Sequence, residues 1–185
     1  MKPTEIAETI RPIPTWLSEA EKLRLAMFAQ EVPAGGTIVE VGSLYGGSTA
    51  LLALGQPEAT VYAHDEFSWS PIAERPASAQ EMSKNLKALG IENVRIVEGD
   101  SRITGKAWKG PIDLLWIDGG HSYEYVHADL ENFGPWARRI VLHDWQNPGW
   151  ASVTKAIMDF LAAHPEWMRG VVVDMLVELF QPKDE

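Results

Sequence analysis

The segment Thr37-Ile-Val-Glu-Val-Gly-Ser-Leu-Tyr-Gly-Gly-Ser48 restricts the fold more than any other part of the chain. A β-branched run of strand type meets a glycine turn, and an apolar stretch suited to a helix follows from Thr49 to Leu54. That order is the first strand, loop and helix of a nucleotide-type α/β fold. Gly42, Gly46 and Gly47 let the backbone turn sharply and approach a ligand, and the first amides of the helix point towards it. A polar, adenosine-like ligand is expected there. The dinucleotide fingerprint G-x-G-x-x-G requires a glycine where this chain has Leu44, which weighs against a bound pyrophosphate and a nicotinamide-dependent oxidoreductase.

The remaining segments continue the alternation. Ser18 and Glu21 have capping-box spacing and open a helix that ends near Val32-Pro33, after a weaker helical pattern from Thr4 to Ile13. Ala59 to Asp65 reads as a second strand, Asn93 to Ser101 as a third, Pro111 to Asp118 as a fourth and Arg139 to Leu142 as a fifth, with helical patterns between them. Two short runs at the end, Gly170 to Met175 and Leu176 to Phe180, are too close for a helix between them and read as a hairpin. The expected architecture is a Rossmann-like, doubly wound α/β fold. Its seven-stranded sheet is mostly parallel, with a C-terminal antiparallel hairpin. Residues 1–185 are read as one domain, with a helical segment at 1–33 and an α/β core at 34–185.

Composition narrows the function. No apolar run approaches the ~20 residues that span a bilayer, and the first residues lack the apolar core of a secretory signal; no membrane partner and a cytoplasmic location are the simplest expectations. The chain has no cysteine, so disulfides, thiolate metal sites and cysteine nucleophiles are excluded. A formal charge of -10 opposes binding to nucleic acid, whose affinity rests on basic residues neutralising phosphates, and favours a small-molecule substrate. Of the eight tryptophans, Trp69, Trp145 and Trp150 flank polar or glycine-rich segments where a pocket lining is expected.

The strand ends carry the chemistry. Ligands of open α/β sheets sit beyond the carboxyl ends of the strands. An acid ending the second strand, Asp65, can accept ribose hydroxyls there or cap the next segment, and Asp100 with Ser101 after the third can meet the adenine amino group. The fourth strand runs into Asp118-Gly-Gly-His-Ser-Tyr-Glu124 and the fifth into His143-Asp144-Trp145, so Asp118, His121, His143 and Asp144 should surround one cleft. His64, His127 and His164 are read as structural. With no room for a separate substrate domain, the N-terminal segment, residues 66–77 and the 146–150 loop should build the pocket, or a second copy in a homo-oligomer. Residues 66–77 read either as a lid or as a packed surface connection.

With its Glu40 and Gly42, the first motif resembles that of class I S-adenosylmethionine-dependent methyltransferases. The more distinctive Ile117-Asp-Gly-Gly-His-Ser-Tyr-Glu124, Asp129-Leu130 and Leu142-His-Asp-Trp145 resemble the macrocin-type, cephalosporin hydroxylase-like and rhamnosyl O-methyltransferase-like group. The resemblance spans roughly Trp16 to Phe180, and departs from many relatives at the turn Trp136 to Arg139, where they have glycines. It implies S-adenosylmethionine as cofactor, with Glu40, Gly42, Ser43, Tyr45, Gly46 and Ser48 at the methionine end, Asp65 at the ribose, Asp100 and Ser101 at the adenine, and Asp118 also against the cofactor. It further implies a divalent metal, Mg or Mn, on Asp118, His143 and Asp144, and O-methylation of a small hydroxylated substrate. Asp118, His121 and His143 are the expected catalytic residues, with His121 or His143 as the base. The group also holds members without demonstrated activity, so a methyltransferase-like domain that binds ligand without turnover is the alternative.

Overall fold

The computed structural model describes residues 1–182. In chain order its main elements are α1 (Pro3–Thr9), α2 (Glu19–Gln30), β1 (Thr37–Val41), α3 (Gly47–Gly55), β2 (Thr60–Asp65), α4 (Ala79–Ala88), β3 (Val94–Glu98), α5 (Ser101–Thr104), β4 (Leu114–Ile117), α6 (Tyr123–Phe133), β5 (Arg139–Leu142), α7 (Ala151–Ala163), β6 (Met168–Val173) and β7 (Leu176–Phe180). The strands form one seven-stranded sheet in the order β3-β2-β1-β4-β5-β7-β6. β1 to β5 are parallel, while β7 runs antiparallel between β5 and β6. The expected Rossmann-like sheet and terminal hairpin are both present. Strand order reverses between β1 and β4, and a crevice opens at such a switch point because the crossovers leave in opposite directions.

Apart from Glu40 of β1 and Arg139 of β5, the central strands β1, β4 and β5 are largely apolar on both faces, as parallel strands covered by helices must be. With a side-chain period of two, Ile38, Leu114 and Trp116 enter one core with Leu25, Phe28, Leu51 and Met82 of α2, α3 and α4. Val39, Leu115 and Ile117 enter the other, with Leu130 and Phe133 of α6 and Ile157 and Phe160 of α7. α2 begins where its capping box places it: Ser18 Oγ accepts from Glu21 N, and Glu21 Oε2 accepts from Ser18 N at 2.8 Å.

Three elements depart furthest from the sequence reading. α1 stops at Thr9, although Ile10 and Ile13 remain buried, because the prolines at 12 and 14 cannot continue the backbone ladder. β3 stops at Glu98, and Asp100 caps the short α5 by accepting from Arg102 N. β4 is confined to four residues, with Ile112 held only by an isolated bridge to Ala137. The turn at Trp136 to Arg139 leads into β5 without disturbing its pairing with β4.

The ends of β1 and β4 approach so closely at Gly42 that a methyl group there would lie 2.2 Å from the Asp118 carbonyl oxygen, and Gly42 has a φ of 89°. Both the overlap and the left-handed backbone oppose any side chain. Gly42→Ala is therefore expected to lower unfolding free energy by about 3 kcal/mol, measured by urea denaturation. Unchanged stability would mean that this approach is not maintained in solution.

Candidate active site

A cavity of about 670 Å³ opens at the carboxyl ends of the parallel strands, a size suited to one cofactor-sized ligand with room beside it. Gly42, Ser43, Leu44 and Ser48 line it after β1, Asp65 after β2, Gly99 and Ser101 after β3, Asp118 to His121 after β4, and His143 and Asp144 after β5.

The glycine loop is held in shape by Asp65. Its Oδ2 accepts Ser43 N at 2.7 Å and Leu44 N at 2.8 Å, and its Oδ1 accepts Phe67 N at 2.6 Å. Leu44 stands at a φ of 44°, where a side chain is disfavoured, and the two amide bonds supply the restraint. Of about four acceptor positions on a carboxylate, roughly one remains for a ligand. Of the two roles read from the sequence, the structure shows the local cap, through Phe67 N, and adds a restraint on the glycine loop. Glu40 is buried beneath the loop and accepts from the hydroxyls of Ser48 and Thr49. Burial raises its carboxyl to about 7, which those hydroxyls only partly offset.

Four expected cofactor residues, Glu40, Tyr45, Gly46 and Asp100, do not line the cavity. Tyr45 is fully buried, and its hydroxyl donates to the Arg75 carbonyl at 2.6 Å, packing the loop onto residues 66–77 rather than facing the cavity. The Asp100 carboxylate is taken up by the Arg102 guanidinium, with a shortest contact of 2.6 Å, leaving Gly99 and Ser101 on the wall. Gly46 caps α3 at a φ of 87°, setting the helix direction. Sequence reasoning missed Tyr125, which lines the cavity beneath the Arg102 guanidinium at 3.9 Å from the ring centre. Its position in a helical pattern concealed that.

The polar floor gathers the predicted acids and imidazoles. His121 Nε2 lies 2.9 Å from Asp144 Oδ2, and its ring stacks on Trp150 with centroids 4.7 Å apart. His143 Nδ1 lies 3.4 Å from Asp118 Oδ1 and 3.3 Å from Asp144 Oδ2. Burial opposes charge on His143, but Asp118, Asp144 and Glu21 outweigh it and push its pKa up to about 12. Burial also opposes ionisation of Asp144, yet hydrogen bonds from His121, His143 and Asn147 hold its carboxyl well below the usual range. Burial raises Asp118, and His143 offsets only part of that. The Asp144 hydrogen bond raises His121 above an ordinary imidazole.

Asp118, His143 and Asp144 can each turn a ligand atom within 4.8 Å of the others. Two carboxylate oxygens and an imidazole nitrogen fit a divalent cation. The imidazole suits manganese better than magnesium, which takes oxygen ligands almost throughout.

All three expected segments supply walls: Pro14, Thr15 and Trp16 from the N-terminal region, Glu66, Ser68 and Trp69, and Asn147 with Trp150. Within residues 66–77, Phe67 and Ile72 pack partly buried on the core and Arg75 bonds Glu81 and Asn85 at 2.6 and 2.7 Å, while Glu66, Ser68 and Trp69 are exposed. Trp16, Trp69 and Trp150 are exposed at the rim, whereas Trp145 is only 4% exposed and belongs to the core. His64 packs edge-on to Phe133, and burial lowers its pKa to about 4. His127 lies against Tyr123, and His164 pairs with Glu131 at 3.2 Å. None of the last three contacts belongs to the polar floor.

Asp129 of α6 is fully buried, and neither oxygen has a hydrogen-bond partner among the described residues. Burial pushes its carboxyl up to about 7, against smaller lowering effects from Ser101 and Arg102. The folded state therefore holds this proton more tightly than the unfolded chain does. Its stabilisation is complete below pH 3.8 and is lost as pH rises to about 7. Asp129→Asn should melt at least about 5 °C above wild type at pH 8 and close to it near pH 4 by calorimetry. Parallel curves would refute the assignment.

A family model described as a methyltransferase domain matches residues 39–145, more than half of the chain. Solved structures share the fold at low identity. The O-methyltransferase NovP aligns at a TM-score of 0.73 and 18% identity, over 97% of this chain and 88% of that one. The SAH-bound methyltransferase PaMTH1 of Podospora anserina aligns at 0.69 and 17%, over 98% and 88%. CalS11, a TDP-rhamnose 3'-O-methyltransferase, aligns at 0.67 and 18%, over 97% and 92%. With a glycine loop beside strand-end acids on a seven-stranded sheet, and a family match running from β1 through the His143-Asp144 pair, the chain belongs to the methyltransferase-domain family.

Proposed function

We propose that the protein is an S-adenosylmethionine-dependent O-methyltransferase acting on a small hydroxylated molecule, a sugar or a natural product. The carrying observation is the Asp144–His121 pair at 2.9 Å, facing the same cavity as the glycine loop. Methyl transfer requires an acceptor oxygen in line with the sulfonium methyl and a route for the hydroxyl proton. S-adenosylmethionine, when bound, would supply the methyl group, its S–CH₃ bond breaking as the C–O bond to the acceptor forms. His121 takes the proton. Its Nε2 is committed to Asp144, which leaves Nδ1 as the accepting atom, and Asp144 stabilises the resulting imidazolium.

In this reading Gly42, Ser43 and Ser48 surround the methionine end, above the Glu40 carboxyl that fixes Ser48. Asp65 takes one ribose hydroxyl, and Gly99, Ser101 and Tyr125 meet the adenine. That PaMTH1, which shares the fold, is SAH-bound supports the choice of cofactor. Asp118, Asp144 and His143 would hold a divalent ion, which lowers the pKa of a coordinated hydroxyl when bound. The exposed rings of Trp16, Trp69 and Trp150 offer flat faces to a ring-shaped acceptor. A charge of -10 favours such a molecule over a polyanion.

S-adenosylmethionine binding should be seen by calorimetry, measured with and without Mn²⁺, and weaken at least about tenfold in Asp65→Ala, which frees the Ser43 and Leu44 amides. No binding under any condition would sink the reading. In an acceptor screen, His121→Ala should lower turnover about 10²- to 10⁴-fold with cofactor affinity nearly unchanged. An unaltered rate removes His121 from the mechanism, and binding without turnover on any acceptor favours a ligand-binding domain.

A further inference from the structure

We propose that the acceptor is an aromatic compound free of anionic groups, selected by a cavity rim that holds three exposed indoles and no cation. The proposal rests on the functional reading above and narrows it. In that reading the reacting hydroxyl comes to His121, whose ring lies on Trp150 at a centroid distance of 4.7 Å and an interplanar angle of 17°. The rest of the acceptor then passes Trp150 and lies among the rim residues. Trp16, Trp69 and Trp150 stand there 56%, 61% and 47% exposed, although tryptophan is on average a highly buried residue. Trp16 and Trp150 lie outside residues 39–145 matched by the family, so this wall is a property of this chain rather than of the match.

Polar groups at the rim are few and mostly taken. The Asn147 amide is bound at both ends, Nδ2 donating to Asp144 Oδ1 at 2.5 Å and Oδ1 accepting from Gly149 N at 2.9 Å. Ser68 Oγ donates to Glu66 Oε1 at 2.9 Å. A polyol placed here would lose water from hydroxyls that find few partners in return. An aryl ring has little such loss and gains stacking. The same wall sorts charge. Among the described residues no lysine or arginine lines the cavity, and Glu66 sets a carboxylate on it. The Arg102 guanidinium lies over Tyr125 and is paired with Asp100 at 2.6 Å. A carboxylate or phosphate on the acceptor would be desolvated with no counter-charge and with a like charge nearby. An ammonium gains from the indole faces and from Glu66. A divalent ion on Asp118, His143 and Asp144 would sit at the floor and supply no cation at the rim.

Titration calorimetry at low salt tests this with three phenols alike in the ring and different in side-chain charge: tyramine, 2-(4-hydroxyphenyl)ethanol and 4-hydroxyphenylacetate. The series is run on metal-free protein, with and without saturating S-adenosylhomocysteine. The cation and the alcohol should bind, and the anion at least about tenfold more weakly than the cation, with that gap narrowing as salt is added. Methyl β-glucoside should bind more weakly than the alcohol. In Trp16→Arg, which keeps a flat group at the rim and makes it cationic, the gap between cation and anion should fall below about threefold. An anion bound as tightly as the cation, a glucoside bound more tightly than the alcohol, or no binding of any phenol overturns the proposal even if the variant does not fold. A folded variant with an unchanged gap overturns it too. Failure of S-adenosylhomocysteine to bind would count against the functional reading alone, since the charge order is also read without it.

Discussion

An imidazole set among carboxylates occupies the floor of the cleft. The sheet delivers Asp118 and Asp144 to neighbouring strand ends, and α2 adds Glu21 from behind. Three acids sharing one poorly solvated region would repel one another and drive protonation. The His143 ring lies among them, with Nδ1 3.4 Å from Asp118 and 3.3 Å from Asp144 and Nε2 3.2 Å from Glu21, and their charges raise its pKa. His121 draws its position from the same group through Asp144. Alteration of any one acid in this set changes the environment of the others, so their protonation belongs to the cluster rather than to single residues.

The second constraint is geometric. β1 and β4 are adjacent at the reversal of strand order, and their ends approach until only glycine fits at position 42. The loop beyond is drawn down by Asp65, which forces Leu44 into a backbone region normally left to glycine. A loop thus restrained presents its ligand face in one shape, at a cost in backbone strain that the sheet's packing offsets. Asp65 links the second strand to the first through this contact, which explains how a turn lacking the second glycine of the dinucleotide fingerprint still keeps a tight curve.

Much of the fold was legible because its periodicities are strong. The β-branched runs of β1, β2 and β5, the apolar β4, the Ser18–Glu21 cap and the short gap before β7 each restrict local structure through backbone sterics, hydrogen bonding or chain length. The acids and histidines at strand ends were legible for a related reason: in a parallel sheet, strand ends share one side, so order along the chain becomes proximity in space. Tyr45 and Asp100 show where such reasoning stops. Both stand in the right loops, but Tyr45 found Arg75 and Asp100 found Arg102, and a side chain's direction depends on partners that spacing does not reveal. Trp145 entered the core for the same reason.

By itself the sequence determined the α/β class, the strand-loop-helix at Thr37–Gly55 and the convergence of Asp118, His121, His143 and Asp144, because each follows from local chemistry or from the common direction of parallel strands. Only the tertiary structure decided that Asp65 restrains the loop, that Tyr125 and the exposed Trp16 line the cavity, and that Glu21 meets His143. Those contacts join residues from elements that no local pattern pairs. Glu21 and His143 are brought together by the packing of α2 behind the sheet and the return of the terminal hairpin, and neither packing event leaves a periodic trace in the chain.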